Sequence, residues 1–514
     1  MHPLEAQRDI AMHNIQAECT DISPDAVGVY PCAQSLRQRS DQPPRWPGHI
    51  QPAPMSHDTL QTTDFTQQQA YLLKVCRALM AYGAPTHRLE EYMHMTAEVL
   101  GLHLQSFYMP GCMIISFNNT IWRSTEVHVV RCAEGLNLSK LYDVHEVYKG
   151  IIHDKIAIEE AIAHLDEIMT RSDKFSRWFR VLLYGLASAC IGPVSFGARP
   201  IDLPIIFLLG SLVGFMQLIL APSSELYAHI FEISATILTS FLSRAVGSIH
   251  SGPRRIFCFS AICQACLVMI LPGFTITNSA LELQSKYIVS GSVRMVYGIV
   301  YTLFLSYGIT TGITIYGAID HNATSATTCD TTWPFWWKVI FVAPFTFCYI
   351  IINQGKWTKA PAMLVLTLVG WLSNHFSAQH FATNIQIAQT LGALTVGILA
   401  NLYSRLGHGL AVALLHPAIF IQVPGSLAAS GSLISGLTSA NQLTKHADGG
   451  VGSGGSTTGN GTPGVGGEQG NTAVLNAGYS MIEIAIGITV GLSVSAIVVY
   501  PFRNRRGKSG LFSF

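Results

Sequence analysis

From about residue 178 onward, the chain is a series of apolar runs separated by short polar stretches. Each run has roughly 18–25 residues, which is enough for a helix to cross a hydrocarbon core of about 30 Å. The pattern therefore predicts a polytopic α-helical membrane protein with about ten transmembrane helices. The expected spans are 178–197, 203–220, 226–243, 256–273, 289–316, 337–353, 361–376, 385–403, 409–424 and 474–500.

A different pattern comes before these spans, in residues 63–172. Apolar side chains recur there at helical spacing in two segments, and a Gly-Ala-Pro-Thr sequence at 83–86 separates the segments. Thr86 is expected to cap the second helix, because its hydroxyl can accept from a free backbone N–H. Residues 103–131 then switch to strand-like runs, and two helical segments follow near 139–152 and 156–170. We therefore expect a small cytoplasmic α+β amino-terminal domain.

Polar and low-complexity segments divide the remainder of the chain. Residues 1–62 are rich in Gln, Pro, Asp and Ser, which predicts a disordered tail. Residues 443–473 form a Gly-rich loop that has no means of packing. The predicted order is the tail 1–62, the α+β domain 63–172, a first five-helix module 173–320, a second five-helix module 333–502 that contains the Gly-rich loop, and a cytoplasmic tail 503–514.

Composition agrees with a membrane protein and excludes several other classes. Charged residues make up 12% of the 514 residues, about half of the ~25% typical of soluble proteins. The 31 basic and 30 acidic residues give a net charge of +1, so no nucleic acid partner is expected. The 11 cysteines are too dilute for a disulfide scaffold, and no motif indicates a metal site or a cofactor. The expected partners are the lipid bilayer and a small-molecule substrate, and the oligomeric state stays open.

Basic residues beside the spans predict the orientation of the chain, because cytoplasmic loops are enriched in Lys and Arg. Such residues flank the first and last spans: Arg171, Lys174, Arg177, Arg180, Arg503, Arg505, Arg506 and Lys508. Both termini are then cytoplasmic, and the glycosylation sequons at Asn322 and Asn460 fall in outside loops. Arg244, Arg254 and Arg255 break the rule, because the count places them outside. The plasma membrane and a vacuolar or other endomembrane are not distinguished.

Short matches that recur in the same order indicate an internal repeat. Leu271-Pro272-Gly273 corresponds to Val423-Pro424-Gly425, residues 308–312 correspond to 487–491, and further pairs keep the order. Five spans per repeat turn the second module upside down, and inverted repeats are frequent in secondary transporters, which bind substrate between them. The two Pro-Gly breaks either free backbone groups that line a cavity or merely end helices at the membrane surface.

Ionisable and helix-breaking residues in the spans are candidates for a substrate or ion path, because charged groups in a membrane usually face a cavity. Arg294 could pair with Glu282 or bind a substrate carboxylate through its planar guanidinium. Glu483 is a candidate for proton coupling, and the alternative is an interfacial carboxylate that faces water. The predicted path consists of Glu232, Pro272, Gly273, Asn278, Glu282, Arg294, Pro424, Gly425 and Glu483.

Two further groups of polar residues permit more than one interpretation. An uncharged group either lines the path or hydrogen-bonds helices to one another, and it comprises Gln386, Gln389, Asn401, His416 and Gln422. A charged group in the α+β domain lies on one predicted helix and comprises His87, Arg88, Glu90, Glu91 and His94. No hydrolase or metalloprotease motif accompanies the charged group, which favours a solvated helix face and a protein that is not an enzyme.

Three motifs resemble those of the threonine/serine exporter family. Gly83-Ala84-Pro85-Thr86-His87-Arg88-Leu89-Glu90 is similar to the start of its amino-terminal domain. The stretch from Leu271-Pro272-Gly273 through Asn278 and Glu282 to Arg294 resembles its central motif. Val423-Pro424-Gly425-Ser426 resembles the equivalent motif of its carboxy-terminal module. The polar tail and the Gly-rich loop resemble the fungal branch, the pheromone-regulated membrane proteins.

The resemblance implies ten spans, a cytoplasmic amino-terminal domain and export of small amino acids driven by an ion gradient. The chain departs from the family pattern at Ser285-Lys286-Tyr287, where acidic positions are usual, and at Glu282, where bacterial members usually have Asp. We therefore expect a secondary transporter that exports threonine or serine, with the proton as the coupling ion. The alternatives are a dicarboxylate (succinate-like) exporter, a membrane scaffold or signalling protein that acts through its cytoplasmic domain, and a hydrolase.

Overall fold

The computed structural model of the chain describes residues 57–500, with gaps at 120–123, 252–253, 328, 330–332, 382–383, 408–409, 423–432, 434–436 and 438–465. Most of the predicted tail 1–62 and most of the Gly-rich loop therefore lie outside the described residues. The same holds for the second predicted break, Pro424-Gly425, and for the tail 503–514. The described elements form two groups.

The first group, the amino-terminal unit, comprises residues 57–170. Met113, Ile115 and Phe117 alternate with more exposed residues along one strand and are fully buried, so this face of the sheet packs on helices. The three strands are antiparallel in the order β1-β2-β3. The elements are α1 (His57–Tyr82), α2 (Thr86–Val99), β1 (His103–Met109), β2 (Cys112–Asn119), β3 (Ser124–Arg131), α3 (Leu138–Ile152) and α4 (Ile158–Thr170).

The second group consists of apolar helices between residues 177 and 499. Large apolar side chains such as Leu226 and Trp336 are exposed on their outer surfaces, as is usual for a surface that contacts lipid. The helices are α5 (Arg177–Ile191), α6 (Leu203–Phe215), α7 (Glu225–Gly247), α8 (Phe259–Leu267), α9 (Gly273–Gln284), α10 (Ile288–Ile319), α11 (Phe335–Ile352), α12 (Ala360–His380), α13 (Ile385–Gly407), α14 (Ala411–Gln422) and α15 (Gly466–Val499).

The helices that can cross a membrane are fewer than the ten predicted spans. Among the described residues, seven are long and apolar enough, and the number is eight if α8 and α9 form one bent span. Asn374 and His375 lower the hydropathy of α12, and the apolar part of α14, Ala413–Gln422, is short. The chain is therefore a polytopic helical membrane protein, as the apolar runs predict.

The fourth predicted span, 256–273, does not end where the sequence pattern places its end. A 3₁₀ turn follows α8, Leu271 is extended, and Pro272 is the residue before the first turn of α9. Because proline has no N–H and clashes with the preceding turn, a helix cannot run straight through it. The chain bends by 50° and continues to Gln284. The break at Pro272-Gly273 therefore lies within a longer apolar segment.

The amino-terminal unit docks on the loop between α11 and α12. The backbone N–H groups of Leu138 and Ser139 donate to the carbonyls of Asn353 (3.1 Å) and Gln354 (3.2 Å). Close by, Nζ of Lys356 lies 2.9 Å from a carboxylate oxygen of Asp143. Burial raises the cost of ionising Asp143, but hydrogen bonds from Arg171 and Lys356 outweigh burial and hold its pKa below the ordinary value. These contacts fix the unit against one end of the helices.

A second cluster, the far-end cluster, lies at the other end of α10. Between Arg294 and Ile313, α10 rises by roughly 28 Å, since each residue adds about 1.5 Å. There Arg244 is 2% exposed and donates to the carbonyls of Ile313 (2.7 Å) and Thr324 (3.1 Å). Arg255 donates to the Thr324 hydroxyl. Arg244 and Arg255, which break the charge rule, therefore donate to a helix carbonyl, a loop carbonyl and a hydroxyl rather than acting as free basic residues.

A disulfide joins Cys258 to Cys329 in the same far-end cluster. It links the start of α8 to the segment between α10 and α11. The two cysteines are 71 residues apart in sequence. The cysteine count did not predict this disulfide. The other cysteines of the described residues are free, so the total number of cysteines does not reveal that two of them are paired. Disulfides persist in oxidising compartments.

Candidate functional site

A cavity of about 120 Å³ lies where the amino-terminal unit meets the broken helix α8–α9. A buried water molecule needs about 10–15 Å³ of such space, so the cavity has room for several waters or one small solute. Its membrane-helix wall includes Leu271, Phe274, Asn278, Arg294 and His416. Its other wall belongs to the amino-terminal unit and includes Gly83, Pro85, Tyr108 and Glu134.

Arg294 joins the two walls. Its Nη1 lies 2.6 Å from Oε1 of Glu282, and its Nη2 lies 2.7 Å from Oε2 of Glu134. Nη2 also donates to the hydroxyl of Tyr108 at 2.6 Å. The guanidinium thus binds one carboxylate from the membrane helices and one from the amino-terminal unit. We call Tyr108, Glu134, Glu282 and Arg294 the Arg294 network.

Glu282 is held from three directions. Besides Arg294, the Thr86 hydroxyl donates to Oε1 at 2.7 Å and the Ser290 hydroxyl donates to Oε2 at 2.9 Å. The side chain is 2% exposed, and a buried carboxylate requires such partners. The prediction that Thr86 caps α2 is wrong: Pro85 precedes the helix, and no side chain caps it. The Thr86 hydroxyl bonds to Glu282 instead and contributes to the docking of the unit.

The electrostatics of the amino-terminal side follow from these contacts. Burial raises the pKa of Tyr108 well above its ordinary value, so its hydroxyl keeps its proton and donates to Glu134. Burial would raise the pKa of Glu134 too, but the charge of Arg294 and the hydrogen bonds from Tyr108 and Gly111 hold it below the ordinary value. Glu134 is therefore ionised at neutral pH.

The turn at 83–86 brings the unit close to the cavity. Gly83 has φ +88°, and a methyl group there would lie 2.8 Å from the carbonyl oxygen of Gly135 and 2.9 Å from Cδ1 of Leu136. Glycine adopts this conformation without a steric penalty. The tight turn packs against the loop that carries Glu134, and both line the same wall.

On the opposite side of the cavity, His416 of α14 contacts the broken helix. Its Nδ1 hydrogen-bonds the Tyr349 hydroxyl at 2.8 Å, and its ring lies 3.8 Å from that of Phe274. Nε2 has no hydrogen-bond partner among the described residues. His416 therefore packs as a hydrogen-bonded ring within the cavity wall.

The other predicted path residues are distributed differently. Pro272 forms the break and Gly273 begins α9. Glu232, 8% exposed on α7, does not line the cavity, and neither does Glu483, which accepts from Gln386 at 2.8 Å. Pro424 and Gly425 lie outside the described residues.

The charged group on α2 is not the solvated face that the sequence favours. Arg88 pairs with Glu91 at 2.6 Å, and the two side chains are 13% and 12% exposed. Glu90 is half-buried, accepts the N–H of Tyr108 at 3.0 Å, and has a pKa raised by burial. Only His94 of this group is clearly exposed among the side chains described. In the described parts of the chain, no three His, Cys, Asp or Glu side chains are grouped to hold a metal ion.

Tyr108 and Glu134 are the site residues that sequence reasoning missed. Arg294 lies 186 and 160 residues from them, and no sequence period connects such distant positions. One weak signal existed: Glu134 is the only charged residue between Arg131 and Lys140, and it precedes a glycine. An isolated carboxylate beside a glycine in an uncharged loop is a reasonable candidate for a buried contact.

Comparison with known proteins agrees with the motifs. Residues 70–316 match the family model of the threonine/serine exporters, and residues 338–498 match a second model described as "Threonine/Serine exporter, ThrE". No solved protein structure matches the chain.

Fungal membrane proteins are similar over most of the chain. Pheromone-regulated membrane protein 10 of Candida albicans is 44% identical over 467 residues, which are 90% of this chain and 41% of that protein. An uncharacterized protein of Schizosaccharomyces pombe is 48% identical over 459 residues, 89% of this chain and 58% of its own length. The chain thus spans roughly half the length of these curated relatives. With both halves matched by its models, the chain belongs to the threonine/serine exporter family.

Proposed function

We propose that the protein is a secondary transporter that moves a small amino acid, threonine or serine, out of the cytosol. The observation that carries the proposal is the cavity at the helix break with Arg294 in its wall. Arginine binds carboxylates through a planar pair of N–H donors, and free backbone groups at a broken helix are a usual substrate contact in transporters. The substrate carboxylate binds Arg294 in this scheme.

The charges of the site favour a zwitterion over a dicarboxylate. Two carboxylates, Glu134 and Glu282, face one guanidinium. A solute that brings an ammonium group compensates the surplus negative charge. Succinate brings a second carboxylate into the same surroundings, and like charges in a desolvated site repel strongly. A dicarboxylate exporter is therefore the second choice of substrate class.

Glu134 acts in the proposal as an internal competitor of the substrate. It occupies Nη2 of Arg294, the position that a substrate carboxylate would take. When the substrate displaces Glu134, the amino-terminal unit loses an ion pair with the membrane helices and is released from that contact. The unit is then the inner gate of the transporter, and substrate binding opens it.

The two-repeat architecture with ten spans is part of the proposal. In the first module, α7 and α10 pack closely, with Thr236 against Gly308 and Ser240 against Gly312. In the second, α13 and α15 pack in the same manner, with Gly487 against Thr390. Small residues permit such close approach of membrane helices. Equivalent helix pairs at equivalent places support two related modules.

A cytoplasmic location of both termini completes the proposed topology. With that orientation the far-end cluster faces the outside or a lumen. Its disulfide and the sequon at Asn322, which is exposed, agree with an oxidising and glycosylating compartment. The plasma membrane and an endomembrane both fit.

Proton coupling requires a carboxylate that changes its protonation during the cycle. Glu232, Glu282 and Glu483 are the candidates in the membrane helices. Glu282 is already bound by Arg294 and two hydroxyls. Glu232 is buried, and no basic side chain pairs with it among the described residues. We therefore assign the proton to Glu232 first.

Counterflow in proteoliposomes tests the function. The purified full chain is reconstituted, and exchange of labelled threonine, serine and succinate is followed with and without a pH gradient. We expect exchange of threonine or serine that responds to the gradient, with succinate much slower. Heat-unfolded protein in the same liposomes is the control. Protein with a sharp melting transition that exchanges none of the three solutes would contradict the proposal.

A scaffold function is the second candidate, and one observation favours it. The outer face of the sheet exposes Phe107, Val127 and Val129 at 48%, 59% and 56%. Exposed apolar patches often mark interaction surfaces. Particle mass measured by light scattering tests self-association: Val127→Asp with Val129→Asp should reduce the mass while leaving counterflow intact. An unchanged mass removes this candidate.

A further inference from the structure

Three uncharged amide side chains lie in one region of the second module, on α12, α13 and the last turn of α14. Gln422 is the last residue of α14 and is 3% exposed, and Gln389 of α13 is 8% exposed. Across the part of the chain that the structure describes, neither polar atom of Gln422 has a hydrogen-bond partner, and Oε1 of Gln389 and Oδ1 of Asn374 also lack one. Buried amides are nearly always hydrogen-bonded, so three unpartnered oxygens in one region mark a candidate site for a ligand.

Two glycines bring these side chains together. A methyl group added to Gly392 would lie 2.8 Å from Oε1 of Gln422 and 3.1 Å from Cβ of Asn374. One added to Gly370 would lie 2.6 Å from Nε2 of Gln422. The Gln422 amide therefore occupies a crevice that only glycines leave open. Gln389 is one turn before Gly392, and Asn374 is one turn after Gly370, so both flank the crevice.

The chemistry of the three oxygens selects the class of ligand. Neutral carbonyl-type oxygens are ligands of hard cations. Divalent cations in proteins usually take carboxylates as well, and none belongs to this cluster. One negative charge lies a helical turn away, because Gln386 donates to Glu483 at 2.8 Å and precedes Gln389 by three residues. This arrangement suits an ion with a single positive charge.

We propose that Asn374, Gln389 and Gln422 bind a monovalent alkali cation, Na⁺ or K⁺. Cation binding is an equilibrium property of the folded chain and does not depend on the proposed transport.

Thermal unfolding of the full chain in detergent tests the site directly. Tm is measured at one ionic strength in NaCl, in KCl and in N-methylglucamine chloride. A ligand that binds only the folded state raises Tm with its concentration. We expect a rise of about 2–4 °C with Na⁺ or K⁺ only. Gln389→Leu and Gln422→Leu should abolish it, whereas Gln217→Leu, which removes a buried glutamine on the extension of α6, should retain it.

Two results would overturn the site. These are equal Tm values in the three salts, and a cation-specific rise that survives both leucine substitutions. Either would mean that ordered water, and not a cation, binds the amides. Because Gln422→Leu could fail to fold, Gln422→Glu provides a second variant. A carboxylate attracts a cation more strongly than an amide, so the cation concentration for the half-maximal rise should fall about tenfold. An unchanged half-maximal concentration counts against the proposal, and neither result depends on counterflow.

Discussion

Two arginines at opposite ends of the helices, Arg244 buried and Arg294 15% exposed at the side chain, differ in what they bind. Arg294 donates to two carboxylates and a tyrosine hydroxyl beside a cavity. Arg244 donates to two backbone carbonyls next to a disulfide. Side-chain carboxylates can turn away and give up their place to a solute, whereas carbonyls of packed helices and loops cannot. Burial of an arginine alone therefore does not indicate function; the partners that it holds decide.

The same comparison explains why the presence of a charged residue in a membrane helix does not by itself identify a functional site. A guanidinium is costly to remove from water, and both arginines have hydrogen-bond acceptors that offset this cost. Arg244 belongs to the static end, where the chain is also covalently linked. Arg294 belongs to the end where a separate unit docks through a small number of polar contacts. A moving part of a transporter is expected at the second kind of end.

The largest expected effect comes from Arg294→Lys. Lysine keeps the positive charge but has one nitrogen, so it cannot bind Glu282 and Glu134 with two parallel donors. We expect threonine counterflow to fall about 100-fold, since a hydrogen bond between charged groups contributes about 1.5–3 kcal/mol. The matched control is Arg255→Lys at the far end, which should stay within about threefold of the wild type. Equal losses in both variants would remove the distinction between the two ends.

Arg244→Ala is expected to lower stability without a specific transport defect. The carbonyls of Ile313 and Thr324 would lose a charged donor, and each hydrogen bond to a charged group contributes about 1.5–3 kcal/mol. Tm should fall by several degrees, while counterflow per folded molecule should be retained. Arg199→Ala is the control, because Arg199 makes a longer bond (3.3 Å) to the carbonyl of Arg255 in a partly buried position. A loss of counterflow in folded Arg244→Ala would assign function to the far end as well.

How much the sequence predicts differs between these ends. The apolar runs, the break at Pro272 and the Arg294–Glu282 alternative are local signals, because each lies within a few turns of one chain segment. Glu134, Tyr108 and the Cys258–Cys329 disulfide join segments 71 to 186 residues apart. Such contacts depend on the packing of the whole chain. The far-end arginines show the same limit. The rule that basic residues lie in cytoplasmic loops counts residues and takes no account of the hydrogen bonds that they make in the folded chain.

Glu134→Gln should change selectivity more than rate. Glutamine keeps the shape of the side chain but removes the surplus negative charge beside Arg294. We expect the ratio of succinate to threonine counterflow to rise about tenfold, which corresponds to ~1.4 kcal/mol. Glu91→Gln is the control, because Glu91 pairs with Arg88 within α2 and does not line the cavity. An unchanged ratio would mean that Glu134 does not face the solute.

The smallest expected effect is the acid dependence of docking. The pKa of Glu134 is lowered in the docked state and returns to about 4.3 when the unit separates. Its contribution is therefore complete above the undocked pKa and is lost as the pH falls through the lowered value. The groups that face Glu134 are Arg294 and Tyr108, and neither changes charge in this range. Glu90, whose pKa is raised by burial, acts in the opposite direction, because its protonation relieves an unfavourable buried charge.

Cross-linking of the docking contact measures this acid dependence. Ser139→Cys with Gln354→Cys places two thiols on segments that a backbone hydrogen bond of 3.2 Å already holds together. Between pH 6 and pH 3, samples are equilibrated and then oxidised at the same pH with dithiodipyridine, which reacts with thiols in acid. We expect the cross-linked fraction to fall below about pH 4 and to fall less when Glu134→Gln is added, because the titrating carboxylate is gone. If both proteins lose the cross-link at the same pH, the ion pair of Glu134 with Arg294 does not set the acid dependence, and the ion pair of Asp143 with Lys356 is the titrating contact instead.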